Sequence, residues 1–365
     1  MEINVNNNRV LIILPNDTLG GAEKVLKIIA EELFNKNYKV DVLFLKESKD
    51  KGWDDISDKV NLVFSNYTRE RQAYLYIVKS VFQRSRNPYA YTITSNTGIN
   101  GLLGICNKLK ILRTENLIAR ESTQIMDRFK GIKRFIFSQL YRWGYGTQDL
   151  VIYQTNYMQD RLEAVLPYAM KWRTEVIPNP INSKDVLTRS TEQVSLPTDR
   201  KYILGVGRLI PLKGFDLLIN TLPNLPDDMD IIIVGNGSEK ENLIASAKQK
   251  GVSHRVHLVG YQSNPYPYMR QATVGVISSR VEGFPNTLLQ MMSVNERVVS
   301  TRCAGDIDKL AGVITCPTDS VDALTQAIQT AIQITDVEAK NNRTDFDLEL
   351  DSRRPEIFIE KILTA

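Results

Sequence analysis

At 365 residues the chain is too long for one ordinary hydrophobic core, so two domains are expected. With 42% hydrophobic and 24% charged residues it has the make-up of a soluble globular protein, and no apolar run approaches the roughly 20 residues that span a bilayer. The net charge of +4 is uneven: residues 69–143 carry 14 Lys/Arg against 4 Asp/Glu, a surplus of 10, which leaves about −6 elsewhere and points to an anionic partner for the first half.

In chain order, short apolar strands alternate with helical patterns. Candidate strands of the first half are residues 10–14, 40–45, 60–64, 91–94, 117–119, 150–153 and 176–177, with helical stretches at 22–34, 73–82 and 128–144. Pro178-Asn179-Pro180 can continue neither a helix nor a central strand and marks a boundary. Beyond it, strands are expected at 202–206, 230–234, 256–259, 274–277 and 297–300, and helices at 215–222, 239–250 and 321–334. Asp336 to Asp351 is polar and reads as a loose region, and residues 355–363 look helical again. Such alternation builds βαβ units, so the fold class is α/β with parallel sheets in two domains. The expected division is 1–178, 179–345 and a tail at 346–365 that crosses back to the first domain.

The most informative stretch is Arg280-Val281-Glu282-Gly283-Phe284-Pro285-Asn286-Thr287-Leu288-Leu289, between an apolar strand and an apolar helix. A carboxylate at a strand's C-terminal end suits sugar hydroxyls, because it accepts two hydrogen bonds at once, and a helix N-terminus suits phosphate. Three glycine turns also stand at strand ends. Gly20-Gly21 opens the first helix without forming a dinucleotide fingerprint. Gly207-Arg208 with Lys213-Gly214 sets two cations five residues apart, able to neutralise a diphosphate. Gly235-Asn236-Gly237 is the third, and a plain turn is an equal reading for it and for Gly20-Gly21. Cys106, Cys303 and Cys316 form neither a disulfide framework nor a zinc pattern, and Met1 to Asn4 lack a signal-peptide start, so a cytoplasmic chain is expected.

Together these motifs resemble the nucleotide-sugar glycosyltransferases of family 4, whose two Rossmann-like domains face each other across a cleft in the architecture called GT-B. The resemblance implies that Arg208 and Lys213 hold the donor diphosphate and that Glu282 binds donor-sugar hydroxyls. It implies that Gly207, Gly237 and the backbone of Gly283, Phe284, Pro285, Asn286, Thr287 and Leu288 meet the donor. Gly20 and Gly21 would close over the phosphates, and Gly260 and Tyr261 would contact the base. The family places a second glutamate eight positions after the first, on the ribose diol; this chain has Gln290, which keeps an acceptor but loses a charge-assisted bond, about 1 kcal/mol. The histidine that many relatives carry on the acceptor side is absent, and His254 and His257 read as surface or structural residues.

On the acceptor side the matching segment holds Arg120 and Glu121, which either meet acceptor groups or brace a loop, and Asn96 lies in a turn expected to line the same site. Asp306-Ile307-Asp308 and Asp227-Asp228-Met229-Asp230 look like metal motifs of another glycosyltransferase architecture, but two cations already serve the diphosphate, so no metal or other cofactor is expected. Residues 128–143 form a basic amphipathic pattern, suited to an anionic membrane surface or to packing on the core. No nucleic-acid-binding module is recognisable. The leading expectation is a retaining hexosyl- or N-acetylhexosaminyl-transferase that moves sugar from a UDP- or GDP-sugar to a polyprenyl-diphosphate-linked glycan in bacterial surface polysaccharide (lipopolysaccharide or O-antigen) synthesis, peripheral at the inner face of the cell membrane. A sugar-nucleotide epimerase of the same fold and a non-catalytic partner subunit are the alternatives.

Overall fold

The computed structural model describes residues 8–48, 51–65, 67, 70–84 and 87–364. Met1 to Asn4, inspected above for a leader, lie outside them. The chain forms two compact units: residues up to Pro180 together with those from Pro355 onward, and Ile181–Arg354. The division expected at 178 compares with a crossing between Pro180 and Ile181, and the segment expected as a tail from 346 is shared between the units at Arg354 and Pro355.

The first unit carries strands β1 (Arg9–Leu14), β2 (Lys39–Phe44), β3 (Asn61–Phe64), β4 (Tyr89–Thr94), β5 (Thr114–Arg120), β6 (Leu150–Tyr153) and β7 (Thr174–Val176), in the order β3-β2-β1-β4-β5-β6-β7. The second carries β8 (Lys201–Val206), β9 (Met229–Val234), β10 (Val256–Gly260), β11 (Val274–Ile277), β12 (Val298–Thr301) and β13 (Ile314–Cys316), in the order β10-β9-β8-β11-β12-β13. Every strand pairing among the described residues is parallel. The apolar run of β1 explains why: Val10 to Leu14 are at most 1% exposed, as a strand covered on both faces requires. Val10, Ile12 and Leu14 pack with Leu26 and Ile29 of the helix Gly21–Asn35 and with Phe358 and Ile362 of the C-terminal helix Pro355–Thr364. Leu11 and Ile13 pack on the opposite side with Ile77 and Leu103. The last helix therefore supplies core to the first unit.

Two expectations are corrected. Asp336–Ser352 is a helix, not a loose region: Thr335 and Glu338 form a reciprocal capping box at its start, and Ala339, Phe346 and Leu350 bury one edge in the second unit's core. Its other positions are polar, which hid the periodicity. The basic helix is interrupted, with a short turn at Ile125–Arg128, an extended Phe129 and Lys130, and Gly131 at φ +57° opening the helix Gly131–Gly144.

Phe346 is fully buried, so Phe346→Ala should destabilise the second unit by about 3–5 kcal/mol, whereas Thr335→Ala, which removes a cap, should cost about 1 kcal/mol. Urea unfolding of the two variants checks that order.

Candidate functional site

In an open parallel sheet, ligands bind beyond the carboxyl ends of the strands where the strand order reverses. In the second unit that point lies between β8 and β11, the strands that lead into residues 207–214 and 278–286. The two loops are joined by a close backbone approach. Gly214 has φ +62°, and a Cβ there would stand 2.1 Å from the Ser278 carbonyl oxygen, so only glycine allows the turn to seat. Ser278 Oγ donates to the Lys213 carbonyl at 2.9 Å.

Lys213 is thereby aimed across the gap, and its Nζ lies 2.5 Å from Glu282 Oε1. Ser279 Oγ donates to the same oxygen at 2.8 Å, and the Glu282 N–H donates to the Cys303 carbonyl at 2.8 Å. Both charged side chains are about one-fifth exposed, at 20% and 18%. Glu282 Oε2 makes no hydrogen bond among the described residues and remains available to a ligand hydroxyl. Burial, reinforced by the Glu282 charge, pushes the Cys303 thiol up to about 12, so it is no nucleophile at neutral pH.

Arg208 follows the end of β8, is exposed, and its guanidinium makes no ion pair or hydrogen bond among the described residues. The turn 235–237 is fastened to it through the backbone: Leu209 N–H donates to the Asn236 carbonyl, and a Cβ at Gly237 would stand 2.2 Å from the Leu209 carbonyl oxygen. Gly237 therefore has a loop-packing duty. Gly260 accepts the Gly235 N–H at 2.8 Å, and Tyr261 beside it is 59% exposed. Phe284, Pro285 and Leu288 are buried, and Asn286 and Thr287 are half-buried, so the side chains of Phe284 and Leu288 belong to the core and this segment offers chiefly backbone. Gln290 is 6% exposed, and its amide makes no hydrogen bond among the described residues.

Sequence reasoning placed Arg280 at the head of the most informative stretch but gave it no role. Its guanidinium grips both Asp216 oxygens, at 2.8 and 2.7 Å, and Asp319 at 2.6 Å, bracing the 278–286 loop against the helix that follows Gly214. Burial alone would raise the Asp216 carboxyl, but the Arg280 hydrogen bonds outweigh it and hold the group below its ordinary range. Asp216 and Arg280 are 64 residues apart, and no local pattern announces the pair.

In the first unit the strand order reverses between β1 and β4. Gly20 precedes the helix Gly21–Asn35, which no side chain caps, and a Cβ at Gly20 would stand 2.5 Å from Glu23 Oε2. Asn96 is occupied as a cap, its Oδ1 accepting the N–H groups of Gly98 and Ile99. Arg120 is 1% exposed; it donates to Ser95 Oγ at 2.7 Å and to Asn179 Oδ1, and its Nε has no partner among the described residues. Burial pushes its guanidinium down to about 10. Glu121, 2% exposed, accepts from Thr97 Oγ1 at 3.1 Å, Asn100 Nδ2 at 3.0 Å, Tyr141 OH at 2.7 Å and Tyr145 OH. Burial and the Glu121 charge drive both tyrosine hydroxyls well above their ordinary range, which keeps them donors. Arg120 and Glu121 share one hydrogen-bond network within the unit: Asn100 Nδ2 donates to the Arg120 carbonyl at 3.2 Å as well as to Glu121 Oε1, and Asn179 Nδ2 donates to Gln154 Oε1, whose Nε2 donates to the Glu121 carbonyl at 3.0 Å. Of the two histidines, His257 Nε2 lies 2.8 Å from Asp230.

Four donors converge on Glu121, so Glu121→Gln, which turns one acceptor into a competing donor, should destabilise the chain by about 2–4 kcal/mol. Urea denaturation with the native protein as reference measures it; unchanged stability would contradict this role.

Residues 200–333 match the family described as Glycosyl transferases group 1. Among curated relatives, the N-acetylgalactosamine-N,N'-diacetylbacillosaminyl-diphospho-undecaprenol 4-alpha-N-acetylgalactosaminyltransferase of Campylobacter jejuni is 33% identical over 129 residues, 35% of each chain. The O-antigen biosynthesis glycosyltransferase WclY of Escherichia coli is 26% identical over 304 residues, 77% of this chain and 76% of its own. The chain spans 35–45% of the length of the first curated relatives it matches. In three dimensions it is similar to Anabaena Alr3699/HepE in complex with UDP and glucose, with a TM-score of 0.79 at 17% identity over 98% of this chain and 99% of that one. It is likewise similar to WaaG, a glycosyltransferase involved in lipopolysaccharide biosynthesis, with a TM-score of 0.71 at 17% identity over 95% and 97%. These likenesses bear on the fold, which is the expected GT-B pair of parallel-sheet units.

Proposed function

We propose, from the match of residues 200–333 to the group 1 glycosyl transferases, that the chain moves a sugar from a UDP- or GDP-sugar to a glycan carried on a polyprenyl diphosphate, with retention at the anomeric carbon, in bacterial surface polysaccharide synthesis. The observation that carries this reading is the Lys213–Glu282 pair at the strand-order reversal with the unpaired Arg208 guanidinium in the same loop. Lys213 and Arg208 neutralise the diphosphate, while Glu282 accepts hydrogen bonds from the sugar through Oε2. As the bond from the anomeric carbon to the diphosphate breaks, negative charge grows on the leaving oxygen, and two positioned cations stabilise it. The acceptor hydroxyl forms the new bond on the face the diphosphate leaves and gives up its proton to that diphosphate. The cations take the place a metal would fill, so the reaction needs none. The UDP and glucose bound to HepE support the donor class, and the diphospho-undecaprenol in the name of the Campylobacter relative supports the lipid-linked acceptor.

A screen of UDP- and GDP-sugars, first alone and then with polyprenyl-diphosphate-linked glycans, tests the reading: acceptor-dependent product supports it, and an isomerised nucleotide-sugar without acceptor favours an epimerase. Arg208→Ala should raise the barrier by about 2–4 kcal/mol, on the order of 100-fold in kcat. Near-native turnover in that variant would remove Arg208 from the site.

Among the described residues no helix is long and apolar enough to cross a membrane. Peripheral attachment fits a lipid-linked acceptor. The helix Gly131–Gly144 exposes Ile132, Phe135, Ile136 and Trp143 by 57–77%, and residues 128–143 contain five Lys/Arg and no acid. Two such faces would repel one another, and lysine is depleted at protein interfaces, so an anionic bilayer is the better match. Lys133→Glu with Arg134→Glu should weaken co-sedimentation with phosphatidylcholine vesicles containing about one-third phosphatidylglycerol by on the order of tenfold or more. Equal binding of native protein to pure phosphatidylcholine vesicles would exclude the electrostatic contribution.

A further inference from the structure

The loop that bears Glu282 rests on a charged side chain. Phe284, at the centre of the loop, is buried, and the Arg353 guanidinium lies over its ring at 4.9 Å. Arg353 caps the C-terminal end of the helix Asp336–Ser352, and its Nε donates to Glu349 Oε1 at 2.5 Å. It is 7% exposed, and its Nη1 is buried without a hydrogen bond among the described residues. Ile181 and Leu350, which its backbone bonds, are apolar and buried. An aliphatic residue would fill such a place with less loss of hydration, and a buried donor left unmet is rare in native proteins.

The backbone of the same residue has a second duty. The Arg353 carbonyl accepts the Ile181 N–H at 2.9 Å. Ile181 and Arg354 are the first and last residues of the second unit, so Arg353 joins both of its chain ends to the loop of Glu282. We infer that Arg353 is a positioning residue: by stacking on Phe284 it sets where Glu282 and the backbone of 283–288 stand, and it links the state of that loop to the segment that begins at Ile181. The inference rests on the reading of this loop as the donor site.

Titration calorimetry with UDP and GDP tests it on the full chain. Arg353→Met keeps most of the volume and removes the planar charge. Nucleoside diphosphate affinity should fall on the order of tenfold, as a displaced binding loop does, with the melting temperature little changed, because Glu349, 31% exposed, regains water when its partner is lost. In the native protein, nucleotide should slow amide exchange at residues 282–288 and at 181–184 together; in Arg353→Met the protection at 181–184 should be lost. Native affinity in the Met variant, or no nucleotide effect at 181–184 in the native chain, overturns the inference while leaving the donor site in place. A native chain that binds neither nucleotide overturns the donor reading and this inference with it. If the Met variant does not fold, Arg353→Lys, which keeps the charge but loses the flat stacking group, takes its place: intermediate affinity supports the role, and native affinity refutes it.

Discussion

On the proposed reading the second unit's chemistry depends on one contact, the Lys213–Glu282 ion pair across residues 69 apart in sequence. A lone lysine on a surface turn would sample many rotamers, and ordering it costs on the order of 2 kcal/mol. Here the turn is seated on β11 by Gly214, and the carboxylate is held by Ser279, so the ammonium meets an acceptor already in place. On the proposed reading a diphosphate arriving at this point exchanges partners with the pair. Lys213 turns from carboxylate to phosphate, and Glu282 turns from ammonium to sugar hydroxyl. Each charged group keeps a hydrogen-bond partner in a partly buried place, which limits the desolvation cost of binding.

The first unit handles polar groups in the opposite way. At the ends of β4 and β5, Asn96 is spent on a helix cap, Arg120 on Ser95 and Asn179, and Glu121 on two tyrosines, a threonine and an asparagine. Such a network fixes the strand ends against one another, while Arg120 Nε, Asn100 Oδ1 and Thr94 Oγ1 make no hydrogen bond among the described residues. Uncommitted charge lies instead in the second unit, on Arg208, and along the basic helix Gly131–Gly144.

Elements with strong two-sided burial were legible in the sequence. The runs 10–14 and 202–206 are apolar because helices cover both faces of the sheet, and such runs announce strands wherever they occur. The strand Ile314–Cys316 passed unnoticed because an edge strand of three residues has no period to detect. The helix Asp336–Ser352 was hidden by contacting the core at so few positions, although its Thr335-x-x-Glu338 box was there to be read. Within the site, Arg208, Lys213 and Glu282 stood out because their turns carry glycines next to charges at strand ends. Arg280, Arg353 and the tyrosines around Glu121 did not, since their roles come from partners that only the fold brings near. Charge and glycine report on a site locally; bracing and burial depend on long-range pairing.

Gln290 shows how this pairing weighs two effects. Its buried amide is one turn beyond the loop of Glu282 and makes no hydrogen bond among the described residues, so a ligand that reaches it meets both a donor and an acceptor. A carboxylate there would bind a diol more strongly, by about 1 kcal/mol for the charge-assisted bond. It would also add a second negative charge to a site whose loops carry two cations, Arg208 and Lys213, and one carboxylate, Glu282. With glutamine the site keeps a net charge of one positive unit, which favours a diphosphate over its uncharged competitors. On the proposed reading, recognition in this chain therefore shifts from the ribose toward the phosphates, and salt, which screens phosphate attraction more than a hydrogen bond to a diol, becomes the stronger control on donor affinity.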